Sequence, residues 1–275
     1  MHYKNITKPF VLAVMSTLLI VAGLQYFYIP TQIKPIHSFN QINFNAIEVG
    51  TLVVFDVDET LIQPTDTYFI NEYTPKGYAF KKKLFMKHKE IKNWDTYVDI
   101  VLKEAERPLI EPMVINEIKK LQQRGITVIA CTAMNTGKVG GLQKLEEWRY
   151  EHLKSLGFQG SFEDIIAEFS LHKKKPVFYK GVLAVDTLPK GPVLFEFLNH
   201  IRLIPDNIIM FDDSLSYLKS VHRECKKRGI PFQGYLYQGA QQKPWDAKLI
   251  EFQAEYLIEH KKWLNDKDAQ ALMAN

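Results

Sequence analysis

The stretch Leu52-Val53-Val54-Phe55 is apolar without alternation and stops at two carboxylates two positions apart, Asp56 and Asp58. A strand that is apolar on both sides has to be covered on both, which is the situation of a central strand in a parallel sheet with helices on either face. Two other runs behave the same way: residues 126–131 end in Thr132, and residues 208–211 end in Asp212-Asp213. Three apolar strands thus each deliver a polar group at their C-terminal end, and we expect those ends to meet in one site.

Helical periods fill the intervals. Val114, Ile118 and Leu121 recur at helical spacing between Pro112 and Gly125, and residues 142–156 form a further helix closed by Gly157. Lys190-Gly191-Pro192 opens a helix with a stripe of Val193, Leu194, Phe197, Leu198 and Ile201, and residues 215–228 form another that ends at Gly229. Residues 176–186 read as a β-ribbon beside the main sheet, 232–237 as a last strand and 247–266 as an amphipathic terminal helix. Strands alternating with helices predict an α/β fold on a Rossmann-like parallel sheet.

The domain plan follows from composition. Lys4 and Lys8 precede an uncharged apolar stretch that continues through Ile29, so residues 1–29 read as a signal peptide or an N-terminal membrane anchor. The protein is therefore expected to be exported, or held in the inner membrane by residues 10–29 and facing the periplasm, with membrane contact only through that segment. Residues 30–48 show neither period and read as a linker, which leaves 49–275 as the folded domain. Within it, residues 63–107 interleave eight aromatic residues, among them Tyr73, Tyr78 and Phe85, with lysines at 81–83, 87 and 89. This reads as a mainly helical insert after the first strand, either a cap over the site or an appendage with its own small core.

The net charge of +4, from 35 basic and 31 acidic residues, is too mild to argue for nucleic acid. Cys131 and Cys225 are the only cysteines, which excludes a disulfide framework and a four-cysteine metal site. Gly137-Lys138-Val139-Gly140-Gly141 lacks the spacing of a phosphate-binding loop and is read as a loop beside Thr132.

Asp56-Val57-Asp58-Glu59-Thr60, then Thr132, Lys190 and Asp212-Asp213, resembles the four ordered motifs of the haloacid dehalogenase (HAD) superfamily. Tyr179-Lys180-Gly181, Lys190-Gly191 and Phe211-Asp212-Asp213-Ser214 are also similar to an uncharacterised secreted HAD-like group of intracellular bacteria, which brings no known substrate. The first resemblance implies the HAD fold and a Mg²⁺-dependent phosphatase acting on a small phosphorylated substrate or a phosphopeptide. It implies Asp56 as nucleophile, Asp58 as proton carrier, and Thr132 and Lys190 as groups that bind the phosphoryl oxygens. Mg²⁺ would be held by the Asp56 carboxylate, the Asp58 carbonyl and Asp212, with Asp213 helping directly or through water. A cation is physically needed, because a carboxylate meeting a phosphate dianion at roughly 4 Å is opposed by about 8 kcal/mol at an effective dielectric near 20. Lys180 is the rival to Lys190, which is preferred because it opens the helix leading into the Asp212 strand. The alternatives are a phosphotransferase and a catalytically inactive HAD-like binding or host-directed interaction protein, and the complete motif set argues against the inactive form.

Overall fold

The computed structural model describes residues 30–274. An eight-stranded sheet forms its centre, built from β1 (Ile33–Ile36), β2 (Thr51–Phe55), β3 (Thr127–Thr132), β4 (Ile166–Glu168), β5 (Val177–Tyr179), β6 (Val182–Ala184), β7 (Asn207–Asp212) and β8 (Phe232–Tyr237). The strand order is β1-β8-β7-β2-β3-β6-β5-β4. The six strands from β1 to β6 in that order pair in parallel, and β5 and β4 continue the sheet antiparallel. The α/β architecture expected from the alternating pattern is therefore present. The ribbon at 176–186 is part of the main sheet, not beside it, because β6 pairs with β3.

All five residues of β2 are buried, as the lack of alternation requires. One face of the sheet is covered by α4 (Val114–Gln123) and α5 (Leu145–Ser155), which contribute Ile118, Leu121, Tyr150 and Leu153 to that core. The other is covered by α6 (Lys190–His200) and α7 (Leu215–Arg228), through Val193, Leu194, Phe197, Leu218, Val221 and Cys225. Helix α5 starts three residues later than expected, because Val139 and Leu142 pair in a tight turn and Leu145 N–H donates to the Gly137 carbonyl (2.8 Å). Helix α7 ends on Gly229 in the left-handed region, as its sequence suggests. Strands β7 and β3 flank β2, both cysteines are free and buried, and no disulfide joins them.

Residues 30–48 correct the linker reading. They supply the edge strand β1, paired to β8, and two 3₁₀ turns whose Phe39 and Phe44 are buried. The ring of Phe39 stacks on Tyr237 (4.8 Å between centroids) and meets Phe55 and Phe211 edge-on. Glu111 accepts hydrogen bonds from Ser38 Oγ (2.5 Å), Phe39 N–H (3.0 Å) and Tyr237 Oη (2.8 Å), and Arg124 donates to the carbonyls of Phe44 and Ile47. The segment escaped a period-based reading because a four-residue edge strand buried only at its ends and two single turns have no sustained period.

The insert at 63–107 is mainly helical, as expected, and holds α1 (Thr67–Ile70), α2 (Pro75–Lys87) and α3 (Asp95–Glu104). Gly77 is required in α2, since a Cβ there would sit 2.2 Å from the Asn71 carbonyl oxygen. The insert does not form a core of its own. Phe69 and Ala105 pack with Leu257 of α8 (Ala247–His260) and with Trp263, which follows it. Asp66 accepts from Trp263 Nε1 (2.8 Å) and Asp266 N–H (3.0 Å), while Asp266, at the start of α9 (Asp266–Met273), accepts from Thr67 N–H (3.0 Å). The expected single terminal helix is thus two, broken at Lys261 in the left-handed region, and both belong structurally with the insert. Residues 1–29, read as a leader or anchor, lie outside the described residues, and no described helix is long and apolar enough to cross a membrane.

Phe39→Ala should destabilise the protein by about 3–5 kcal/mol in urea denaturation, because it empties a site bounded by three aromatic rings. A change below about 0.5 kcal/mol is what a true linker would give.

Candidate metal and phosphate site

Asp56 follows β2, with its N–H donating to the Phe211 carbonyl (2.8 Å), so the ladder to β7 holds it in place. Asp212 is the last residue of β7, and Thr132 the last of β3. The two outer loops are tied together: Asp213 N–H donates to Thr60 Oγ1 (3.1 Å) and Ser214 N–H donates to Asp212 Oδ1 (2.8 Å). Thr60 and Ser214 therefore shape the site without needing to meet a ligand.

Lys190 opens α6 and is fully buried, its ammonium bridging the carboxylates of Asp56 and Asp212, the latter at 2.7 Å. The approach is permitted by Gly191, where a Cβ would lie 2.3 Å from the Ser220 carbonyl oxygen; α6 and α7 can pack this tightly only with glycine there. Lys180 occupies the β5–β6 turn, its ammonium over the rings of Tyr150 and Tyr179. Of the two lysines, Lys190 is the one that reaches the carboxylates.

Asp56, Asp212 and Asp213 each place a carboxylate oxygen within 4.8 Å of the others. Around a bound Mg²⁺ at roughly 2.1 Å, one pair of three ligand oxygens can be opposed at about 4.2 Å and the remaining pairs stand about 3 Å apart, so the three side chains would draw in around a shared ion. The charge also fits. When ionised, three carboxylates against one ammonium leave an excess of two negative charges, which a divalent cation balances. Burial, opposed by Lys190 and reinforced by Asp56, pushes Asp212 up to about 8, and burial with Asp56 pushes Asp213 up to about 7. Asp56 is raised for the same reason, burial outweighing Lys190. These are hard oxygen donors, two of them, Asp56 and Asp212, buried where their charge is resisted and the third, Asp213, open to solvent, and a hard cation is the partner such a set accepts.

Asp58 does not join this cluster. Both of its oxygens receive Nη2 of Arg149 (2.9 and 3.1 Å), and Thr132 Oγ1 lies 3.4 Å from its Oδ2. Arg149, on α5, is buried, and its Nε and Nη1 have no hydrogen-bond partner among the described residues. Arg107 and His152 stand beside it. Burial, then Arg149 and Arg107, pushes His152 down to about 4, so this side of the site is positive and the metal side negative. The six expected residues thus gather as Asp56, Asp212, Asp213 and Lys190 on one side and Asp58 with Thr132 on the other.

Arg149 and Glu59 were not anticipated. Arg149 had a signal: Leu145, Arg149 and Leu153 fall on one helical face, so a charge interrupts an apolar stripe. Glu59 adopts a left-handed backbone (φ 61°) and accepts from Gln63 Nε2 (2.8 Å), and burial with Asp58 pushes it up to about 7. The insert reaches the same region: Gly140, in the loop after Thr132, lies close against Asp95 and Asp99 of α3.

The raised carboxylates fix a sign. Asp212, Asp213 and Glu59 hold protons in the folded protein at pH values where the unfolded chain has lost them, so their contribution to stability falls as pH rises from about 4 to about 8. Chemical denaturation without divalent ions should show that fall, and Mg²⁺ should stabilise wild type more at pH 8 than at pH 6 while leaving Asp212→Asn almost unmoved. Equal Mg²⁺ effects on both proteins would contradict a cation site at these residues.

A family described as a protein of unknown function, DUF2608, matches residues 34–270. An uncharacterized Rickettsia prowazekii protein is 23% identical over 256 residues, which cover 89% of this chain and 92% of that one. A second protein of that species is 32% identical over 136 residues, 46% of this chain and 45% of its own. A Chlamydia trachomatis protein named as an outer membrane protein is 23% identical over 195 residues, 70% of each. Among solved structures, a haloacid dehalogenase-like hydrolase of Streptococcus pneumoniae aligns with a TM-score of 0.36 at 15% identity, over 66% of this chain and 82% of that one. With the family model spanning most of its length, this chain belongs to the DUF2608 family.

Proposed function

We propose that the protein is a Mg²⁺-dependent phosphomonoesterase working through an aspartyl-phosphate at Asp56. The observation that carries this reading is the convergence of Asp56, Asp212, Asp213 and the buried Lys190 at adjacent strand ends. Asp56, Asp212 and Asp213 would hold the ion, with the Asp58 carbonyl; once bound, it offsets the repulsion between the Asp56 carboxylate and the incoming phosphate.

Asp56 Oδ attacks phosphorus and the ester oxygen leaves, taking a proton from Asp58. In the second half, Asp58 takes a proton from the water that attacks the aspartyl-phosphate, which restores Asp56 and releases phosphate. Lys190, locked between two carboxylates, is a preorganised positive charge for the equatorial oxygens, and the Thr132 hydroxyl adds a donor. Arg149 positions Asp58 by its two contacts and keeps that carboxylate away from the metal-side cluster. The insert together with α8 and α9 serves as the cap. The apolar N-terminal sequence, and a relative named as an outer membrane protein, support an exported or envelope location.

The test is phosphate release from an aryl phosphate and a panel of phosphorylated metabolites and phosphopeptides, with Mg²⁺ and with EDTA. Turnover should require Mg²⁺, vanish in Asp56→Asn and fall by roughly 10²–10⁴-fold in Asp58→Asn. A folded wild-type protein that binds Mg²⁺ yet turns over nothing on the panel would contradict the reading and favour a binding protein; transfer to added alcohols would identify a phosphotransferase.

A further inference from the structure

The charge of this protein is not spread evenly. Residues 75–92 hold seven lysines and one glutamate, a net +6, whereas the whole chain carries +4, so everything outside this segment sums to −2. The segment is α2 and the turn after it, on the outside of the insert. Lys76, Lys82, Lys83, Lys87, Lys89 and Lys92 are exposed.

The same helix exposes apolar side chains that a soluble helix would turn inward. Tyr78 is 57% exposed, Phe85 47% and Met86 58%, while the inward positions are taken by Gly77 and Leu84. Tyr78, Lys82, Phe85 and Met86 recur at i, i+4, i+7 and i+8, which places them on one outward face, and Lys89 extends it past the helix end. Phe85 is braced by the edge of Trp94 (4.8 Å between centroids), so its ring is held on the outside. At the start of the face the Lys81 ammonium lies over the rings of Tyr73 and Tyr78 at 5.1 and 5.0 Å.

We infer that this face docks on an anionic lipid bilayer. A helix lying in the headgroup region needs both features at once, aromatic and aliphatic groups that enter the acyl boundary and lysines that meet the lipid charge around them. An acidic protein would need an apolar pocket set among its carboxylates to match this one arrangement, whereas an anionic bilayer presents an acyl boundary beneath negative headgroups wherever the face meets it. All seven basic residues are lysine and none is arginine, which suits a fluid surface of point charges better than a shaped phosphate pocket. Membrane contact then extends beyond the N-terminal segment. The inference concerns docking, so it stands or falls separately from the phosphatase reading.

The experiment is hydrogen–deuterium exchange on the full-length chain in vesicles of phosphatidylcholine alone, and of phosphatidylcholine with 30% phosphatidylglycerol. Whatever residues 1–29 contribute is common to every arm. Peptides covering 75–92 should gain protection only on the anionic vesicles, with the gain lost at high salt. In Lys82→Glu/Lys89→Glu the affinity of this face should fall by roughly thirtyfold or more, and in Phe85→Ser/Met86→Ser protection should weaken, with thermal stability unchanged in both. No protection on anionic vesicles overturns the inference. So does equal protection by soluble polyglutamate or DNA that ignores Phe85→Ser/Met86→Ser, which would assign the face to an acidic macromolecule.

Discussion

The buried ammonium of Lys190 between Asp56 and Asp212 is the contact on which the site is built. Two buried carboxylates at neighbouring strand ends, with the exposed Asp213 beside them, would repel one another strongly, and one fixed positive charge makes the arrangement tolerable. It also leaves the cluster short of two positive charges. Removing the lysine would strand the carboxylates, a loss of about 3–5 kcal/mol for a broken buried pair. The fold therefore depends on the same residue that the proposed chemistry would use.

The rest of the molecule serves to hold that contact. The stacked rings of Phe55, Phe211 and Tyr235 run across β2, β7 and β8 and fix the register that sets Asp56 beside Asp212. Phe39 seals that ladder from a segment far outside the motifs. On the opposite face, Gly191 lets α6 approach α7 closely enough for Lys190 to reach the strand ends. The Arg149 guanidinium then divides the two motif-one carboxylates, drawing Asp58 to the far side of the site. Asp56 and Asp58, equivalent in sequence, have different neighbours and can take different roles.

How much of this could be read from the chain depended on the length of each signal. The central strands and their terminal Asp, Thr and Asp were legible because burial on both faces leaves an unbroken apolar run. Lys190 was legible through its place at the head of a helix, and Lys180 was separable from it by lying in a ribbon. Residues 30–48 were not, since Ile33, Phe39 and Phe44 reach the core from single turns. The partnership of Asp66 with Trp263 and Asp266 joins positions some 200 residues apart and leaves no local trace. Arg149 was within reach, as a charge on the Leu145–Leu153 stripe, but nothing local says that its partner is Asp58.

The central claim is that Asp56 is a nucleophile poised beside a divalent cation, and it can be tested without knowing the substrate. Beryllium fluoride with Mg²⁺ forms a stable mimic of an aspartyl-phosphate, and fluorine NMR of the full-length protein reads it directly. The account predicts bound-fluoride resonances in wild type that require Mg²⁺ and are absent in Asp56→Asn. A folded wild-type protein that gives only free-fluoride signals, or bound signals that persist in Asp56→Asn, would contradict it.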